Sequence, residues 1–272
     1  MNAATDARVL ARAHAALNAL APRSRAFWFY DADFIRARAH ELVTALSPLQ
    51  PRIAYALKAN GLPLVARVMR EAGLHADAGS LGELELARAS GFDDAHRTLS
   101  GNGRTPEEAA WAAEHGVVCV SADQPAELEL LEHAAAEHGK HLEVALRVNP
   151  GIIAGGHRHI ATGHSDSKFG MSAKQALEVL AARSRWPHLR VEGLHLHVGS
   201  QVDSAEPLLA AARSALELAA ESARRGARVS SINLGGGFAI DYAGSGATLD
   251  LAGYADSEGK RCYPFFKPDW SR

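Results

Sequence analysis

The segment Arg97-Thr98-Leu99-Ser100, with Thr105-Pro106-Glu107-Glu108 behind it and Gly116-Val117-Val118-Cys119-Val120 at its far end, reads as strand, helix, strand. Thr105 can cap a helix, Pro106 fits the first helical position, where no N–H is needed, and Glu108 completes a capping box. Gly116 ends the helix. Val117 to Val120 is a fully apolar strand. Two strands joined through one helix by short links run parallel, with a right-handed crossover.

The same unit recurs on both sides. Upstream, the aromatic run Ala26 to Tyr30 reads as a short strand and Asp31 to Leu46 as a helix. Arg52 to Lys58 is a strand. Pro63 opens a helix with Leu64, Val65, Val68 and Met69 on its apolar face, and Gly73 ends it. Leu74 to Asp77 is a strand, and Leu81 to Ser90 a helix closed by Gly91. Downstream come a helix from Pro125 to His138, a strand from Leu142 to Val148, and a helix from Ala173 to Ala182 that Ser172 can cap. A strand from Val191 to Val198, a helix from Pro207 to Arg225 and a strand from Val229 to Leu234 follow. The alternation predicts a parallel sheet of about seven strands from Ile53 onward. An open doubly wound sheet and a (β/α)8 barrel lacking its last strand both fit.

A length of 272 residues favours one large domain, and 47% hydrophobic with 22% charged residues is ordinary for a globular chain. The net charge of -2 gives no reason to expect nucleic acid or an acidic membrane as partner. Cys119 and Cys262 cannot build a disulfide framework or a cysteine zinc site, so a reducing cytoplasm is the expected compartment. No apolar run approaches the roughly 18 residues of a membrane span. Met1 to Ala21 reads as an amphipathic helix using Val9, Leu10, Ala13, Leu17 and Leu20; Asp6 and the lack of a serine-rich stretch argue against a transit peptide. One connection is long: Asn149 to Met171 carries His157, His159, His164, Asp166 and Lys168 on the face where barrel active sites lie.

Candidate chemistry sits at the strand ends. Lys58 shares a strand face with Ala54 and Ala56. A lysine in a barrel interior is costly unless paired, and condensation with an aldehyde cofactor would remove that cost; the bland alternative is a lysine snorkelling to water. Leu234-Gly235-Gly236-Gly237-Phe238 offers a backbone nest for a phosphate, or only a flexible loop. His195 and His197 face inward if Leu194 and Leu196 face the helices. One imidazole could stack on a cofactor ring with Ser200 donating to a phosphate, the pair could bind zinc, or either could be a satisfied interior histidine. Asp77 and Glu83 flank a strand–helix junction as site acids, or as a cap and a helix-dipole acid. Arg147, ending a strand before Val148-Asn149-Pro150, could hold a carboxylate or phenolic oxygen, or pair with Asp77.

Taken together, Tyr55 to Asn60, Ala76 to Glu83, Leu146 to Pro150, Ser167 to Met171, Gly193 to Gln201 and Asn233 to Phe238 resemble, in order, the fold-type III pyridoxal phosphate (PLP) decarboxylases. The similarity is closest to the diaminopimelate decarboxylases, with ornithine/arginine decarboxylases more distant. It implies a PLP-binding (β/α)8 barrel of the alanine racemase/ornithine decarboxylase type. It also implies decarboxylation of an amino acid, meso-diaminopimelate to L-lysine and CO2, in lysine biosynthesis. By this resemblance Lys58 holds PLP, His197 stacks on its ring, Ser200 and Gly235, Gly236 and Gly237 hold its phosphate, and Asp77 and Arg147 lie near the ring or the lysine. No metal is implied.

The family pattern continues with an eighth strand ending in Glu-Pro-Gly-Arg and a β-sandwich domain that completes the partner subunit's site. Neither is found here, and Cys262 takes no family role. The expectation is therefore a shortened or frameshifted member: an N-terminal helical segment at 1–25, an incomplete barrel at 26–256 and an atypical tail at 257–272. The Phe27-to-Tyr30 strand would be an orphaned edge, and the open sheet would expose apolar edges at Ile53 and Ile232. A homodimer is expected of a full-length chain. Two alternatives stand beside this reading: a non-catalytic PLP-binding barrel of the PLP homeostasis type, and a metal-dependent barrel hydrolase using His195 and His197.

Overall fold

A computed structural model of the chain describes residues 3–20, 28–151, 169–241 and 248–262. Its strands are β1 (Ala54–Ala56), β2 (His75–Ala78), β3 (Arg97–Leu99), β4 (Cys119–Ala122), β5 (Leu142–Arg147), β6 (Leu189–His195) and β7 (Ser231–Asn233). All neighbours pair in parallel, in the order β1-β2-β3-β4-β5-β6-β7. A doubly wound sheet reverses its strand order at a switch point. This order never reverses, so the sheet curls in one sense as a barrel wall, with β1 and β7 as its edges among the described residues.

Helices cover the outer face: α2 (Ala32–Leu46), α3 (Pro63–Glu71), α4 (Leu81–Ala89), α5 (Pro106–His115), α6 (Pro125–Glu137), α7 (Ala173–Ala181), α8 (Ala205–Arg224) and α9 (Leu251–Cys262), with α1 (Ala3–Leu20) preceding them. The Thr105–Glu108 capping box closes at 3.2 Å in both directions. The core lies between strands and helices. Leu99, Val120, Val144, Leu146, Leu194 and Leu196 meet Leu84, Leu128, Leu131, Leu180 and Leu208 there, all essentially inaccessible to water. Each such side chain contributes about 1.5–3 kcal/mol. α9, which the sequence reading did not anticipate, packs against both α8 and α2.

Three expectations change. Trp28 to Tyr30 form no strand, and Trp28 is 90% exposed. Aromatic propensity needs a ladder partner, and no described strand supplies one. Residues 26 and 27 lie outside the described residues, as does 152–168 with His157, His159, His164, Asp166 and Lys168. On α1, Leu10, Leu17 and Leu20 are exposed; the helix is tied down instead by Arg12, whose guanidinium reaches Asp31 at 3.2 Å and Asp33 at 3.0 Å. Finally, β1 stops at Ala56, and Leu57–Ala59 forms a 3-10 turn.

Candidate active site

The carboxyl ends of the parallel strands bring the chemistry to one place. Beyond β1, the buried Leu57 anchors the 3-10 turn and leaves Lys58 exposed. Lys58 therefore does not continue the Ala54–Ala56 face as a buried residue, and the desolvation argument for it falls away. Its charge still acts on Asp77, His195 and His197. Asp77 on β2 accepts a hydrogen bond from Thr98 Oγ1 at 3.0 Å. Burial lifts its carboxyl above the usual range, against the opposing pull of hydrogen bonds from Ser100 and Thr98 and of the Lys58 charge. Asp77 is not a cap. Ser80 caps α4, and Glu83 Oε2 closes the junction by accepting from Gly79 N at 2.7 Å.

The histidines owe their direction to one extra residue. Val144 pairs with Val191, but Ala145 pairs with Gly193, so Glu192 is a bulge in β6. Val191 faces the helices and is buried in the core. Uninterrupted alternation from Val191 would send His195 and His197 outward with it. The bulge reverses the parity: Leu194 and Leu196 go to the core, and both histidines face inward. Ser230 fixes the bulge by donating its N–H (2.7 Å) and its hydroxyl (3.3 Å) to the Glu192 carbonyl. Gly193 is required beside it, because a Cβ there would stand 2.7 Å from Ala145 Cβ.

His195 is buried, with Nδ1 2.9 Å from Ser121 Oγ on β4. Burial, then the charges of Arg147, His197 and Lys58, push its imidazole down to about 3. His197 is pushed down to about 4 by burial and by the charges of Arg147 and Lys58. Both rings are neutral at pH 7. Arg147, at the end of β5, pairs with Asp123 at 3.3 Å and not with Asp77, because Asp123 follows the neighbouring strand β4 and is buried beside it. Arg104 is a buried cation nearby: it donates to Glu108 (3.2 Å) and to the carbonyls of Gly101 (2.8 Å) and Ser121 (3.1 Å). Sequence reasoning missed Ser121, Asp123 and Arg104. The available signal was a polar residue at or just beyond the end of a parallel strand.

Ser200 and the glycine turn meet beside His197. A Cβ on Gly235 would lie 2.7 Å from His197 Nδ1, and one on Gly237 would lie 1.9 Å from Gly199 O and 3.2 Å from Ser200 Cα. Both glycines have positive φ, +72° and +85°. Gly236, between them, faces open space with no atom within 4 Å of a Cβ position. This is a cradle whose bare backbone can approach an anion. An exposed amine, a flat neutral imidazole, an inward guanidinium and a glycine cradle form a donor set that suits a planar, phosphorylated aldehyde. Zinc fits less well: His195 Nδ1 is taken by Ser121, and among the described residues no three His, Cys, Asp or Glu side chains come together as a metal site.

Residues 32–267 match the family described as pyridoxal-dependent decarboxylase, pyridoxal binding domain. The chain is 36% identical over 215 residues to diaminopimelate decarboxylase of Pseudomonas aeruginosa, covering 79% of this chain and 52% of that protein. It is 39% identical over 227 residues to the diaminopimelate decarboxylase of Actinosynnema pretiosum, covering 83% and 50%. Diaminopimelate decarboxylase from Helicobacter pylori, solved with L-lysine, superposes with a TM-score of 0.81 at 27% identity, covering 88% of this chain and 61% of that one. The chain thus spans about half the length of the curated relatives it matches.

Proposed function

The chain belongs to the pyridoxal-dependent decarboxylases, and from that premise we propose that it is the cofactor-binding barrel of an enzyme that decarboxylates meso-diaminopimelate to L-lysine. The observation that carries the reading is the convergence of Lys58, His197, Ser200 and the Gly235–Gly237 cradle at the carboxyl ends of the strands. PLP, when bound, supplies an electron sink for the pair left on the α-carbon as CO2 departs.

The chain's own residues do the rest. Lys58 Nζ holds the aldehyde end from the exposed turn after β1. The neutral His197 offers an uncharged flat face to the ring. The bare backbone of Gly235, Gly236 and Gly237, with the Ser200 hydroxyl, holds the phosphate. Arg147 presents a fixed positive charge to an oxygen anion, and Asp77 balances the charge of Lys58. The substrate is a small amino acid. A full-length chain would work as a homodimer in the cytoplasm, and this one supplies an incomplete barrel at 26–256 with a helical segment at 1–25 and a tail at 257–272 whose first residues continue α9. Among the described residues no helix is long and apolar enough to cross a membrane.

Borohydride reduction of the PLP-loaded chain followed by peptide mapping tests the assignment. The pyridoxyl group is expected on Lys58, and labelling at another lysine overturns it. Release of CO2 from meso-diaminopimelate tests the reaction. Stoichiometric PLP on Lys58 without CO2 release would favour the non-catalytic PLP-binding barrel.

A further inference from the structure

Phe169-Gly170-Met171 resembles a family motif, yet the proposed chemistry gives it no task. The structure places all three residues around Arg147. The Arg147 guanidinium carbon stands 5.3 Å from the centre of the Phe169 ring. Asp123, buried after β4, accepts from Arg147 Nη1 through one oxygen (3.3 Å) and from Gly170 N through the other (3.2 Å). Met171 N donates to Arg147 O at 2.8 Å, and Asn149 N donates to Met171 O at 3.0 Å. Gly170 has φ +80°, and a Cβ there would lie 3.0 Å from Asn149 N and 3.1 Å from Arg147 O. The fit tolerates only glycine.

A guanidinium on a long stem has many rotamers. Here one carboxylate holds its edge and one aromatic ring lies within cation–π distance of its carbon. The same carboxylate also fixes the backbone that carries the aromatic ring, so neither contact can move alone. We propose that Asp123, Phe169 and Gly170 are positioning residues that clamp Arg147 in one orientation on the inner face, toward an anionic oxygen of the bound PLP. Arg147 would touch the ligand; the clamp acts through it. The direction toward PLP rests on the functional reading above, while the clamp itself rests on the geometry alone.

The test uses the full chain and the variants Asp123→Asn, Phe169→Leu and Arg147→Met, plus both doubles with Arg147→Met. Hydrogen exchange at the Gly170 amide, measured without PLP, reads the clamp. Asp123→Asn and Arg147→Met should each speed that exchange by at least about twofold, the lower end of coupling between contacting groups. Unchanged exchange in Arg147→Met overturns the clamp. With PLP, Asp123→Asn and Phe169→Leu should each weaken binding and shift the pH midpoint of the bound cofactor's visible band. Neither should add to the effect of Arg147→Met. Additive losses in that background mean a merely structural role and overturn the proposal. Phe169→Leu removes only the ring contact and keeps the test alive if Asp123→Asn does not fold. Borohydride labelling of Lys58 in the unsubstituted chain is scored separately: its failure refutes the functional reading and leaves the exchange result to judge the clamp.

Discussion

Deletion of Glu192 should be far more damaging than any substitution of it. The deletion removes the bulge between β5 and β6, so one half of β6 must shift by a residue and turn over. If the later half turns, Leu194 and Leu196, 0% and 1% exposed, leave the core. If the earlier half turns, Leu189 and Val191, 6% and 1% exposed, leave it. Either way two buried apolar side chains are lost, at about 1.5–3 kcal/mol each, or about 3–6 kcal/mol together. Total stabilities run to about 5–15 kcal/mol, so this is a large share of the whole. At roughly 2–4 °C per kcal/mol for a domain near this size, the thermal midpoint should fall by roughly 6 °C or more. Glu192→Ala keeps the bulge, because Ser230 holds the residue by its carbonyl, and should cost less than about 1 kcal/mol. Circular-dichroism melts and urea titrations of the two variants decide the matter. A deletion variant that melts within about 2 °C of Glu192→Ala, less than the shift that about 1 kcal/mol gives, and still retains PLP would refute the parity argument.

Other consequences can be measured on the same chain. Ser121→Ala leaves His195 Nδ1 buried without its 2.9 Å partner and should destabilise by about 1–3 kcal/mol in urea titration. His195, pushed down to about 3 in the fold from an ordinary 6.5, makes the unfolded chain the better proton binder between those values. Stability should therefore drop as pH falls from about 6.5 toward 3, and His195→Asn should flatten that slope. Asp77, raised by burial, contributes with the opposite sign just above its ordinary value, so the comparison of His195→Asn with the unsubstituted chain is the informative one. Gly236→Ala meets no atom within 4 Å and should melt normally, yet its methyl enters the cradle and should weaken PLP binding by about tenfold, ~1.4 kcal/mol. Gly237→Ala, facing Gly199 O at 1.9 Å, should lose stability as well.

The fold was legible because its punctuation is local. The Thr105–Glu108 box, Pro63, and glycines such as Gly116 and Gly226 mark helix ends through chemistry that acts over three or four residues. Seven strands follow from the alternation, although β4 starts at Cys119 rather than Val117 and β6 runs from Leu189 to His195. The site was legible where a motif stays contiguous, as in the glycine turn. It was obscure where the partner is distant in sequence. Arg147 finds Asp123 because two strand ends are neighbours, a fact that pairing decides and composition does not. Leu194 and Leu196 set the inward aim of His195 and His197, and its cause, the bulge at Glu192, shows in the sequence only as a switch of apolar parity between Val191 and Leu194. Lys58 shows the converse: strand periodicity carried it past the point where hydrogen bonding to β2 ends, at Ala56.

The seam between α8, α9 and α2 bears on how the molecule meets its neighbours. Among the described residues β1 and β7 each keep one side without a strand partner, and such margins ordinarily recruit strands from other chains. Here α9 lies against the helix that precedes β7 and the helix that precedes β1, so the outer layer is continuous where the sheet is not. A strand that joins the ladder in the existing sense must run parallel to the margin it meets. For a strand that continues the ladder, the break therefore carries a fixed polarity, set by the shared direction of all seven strands.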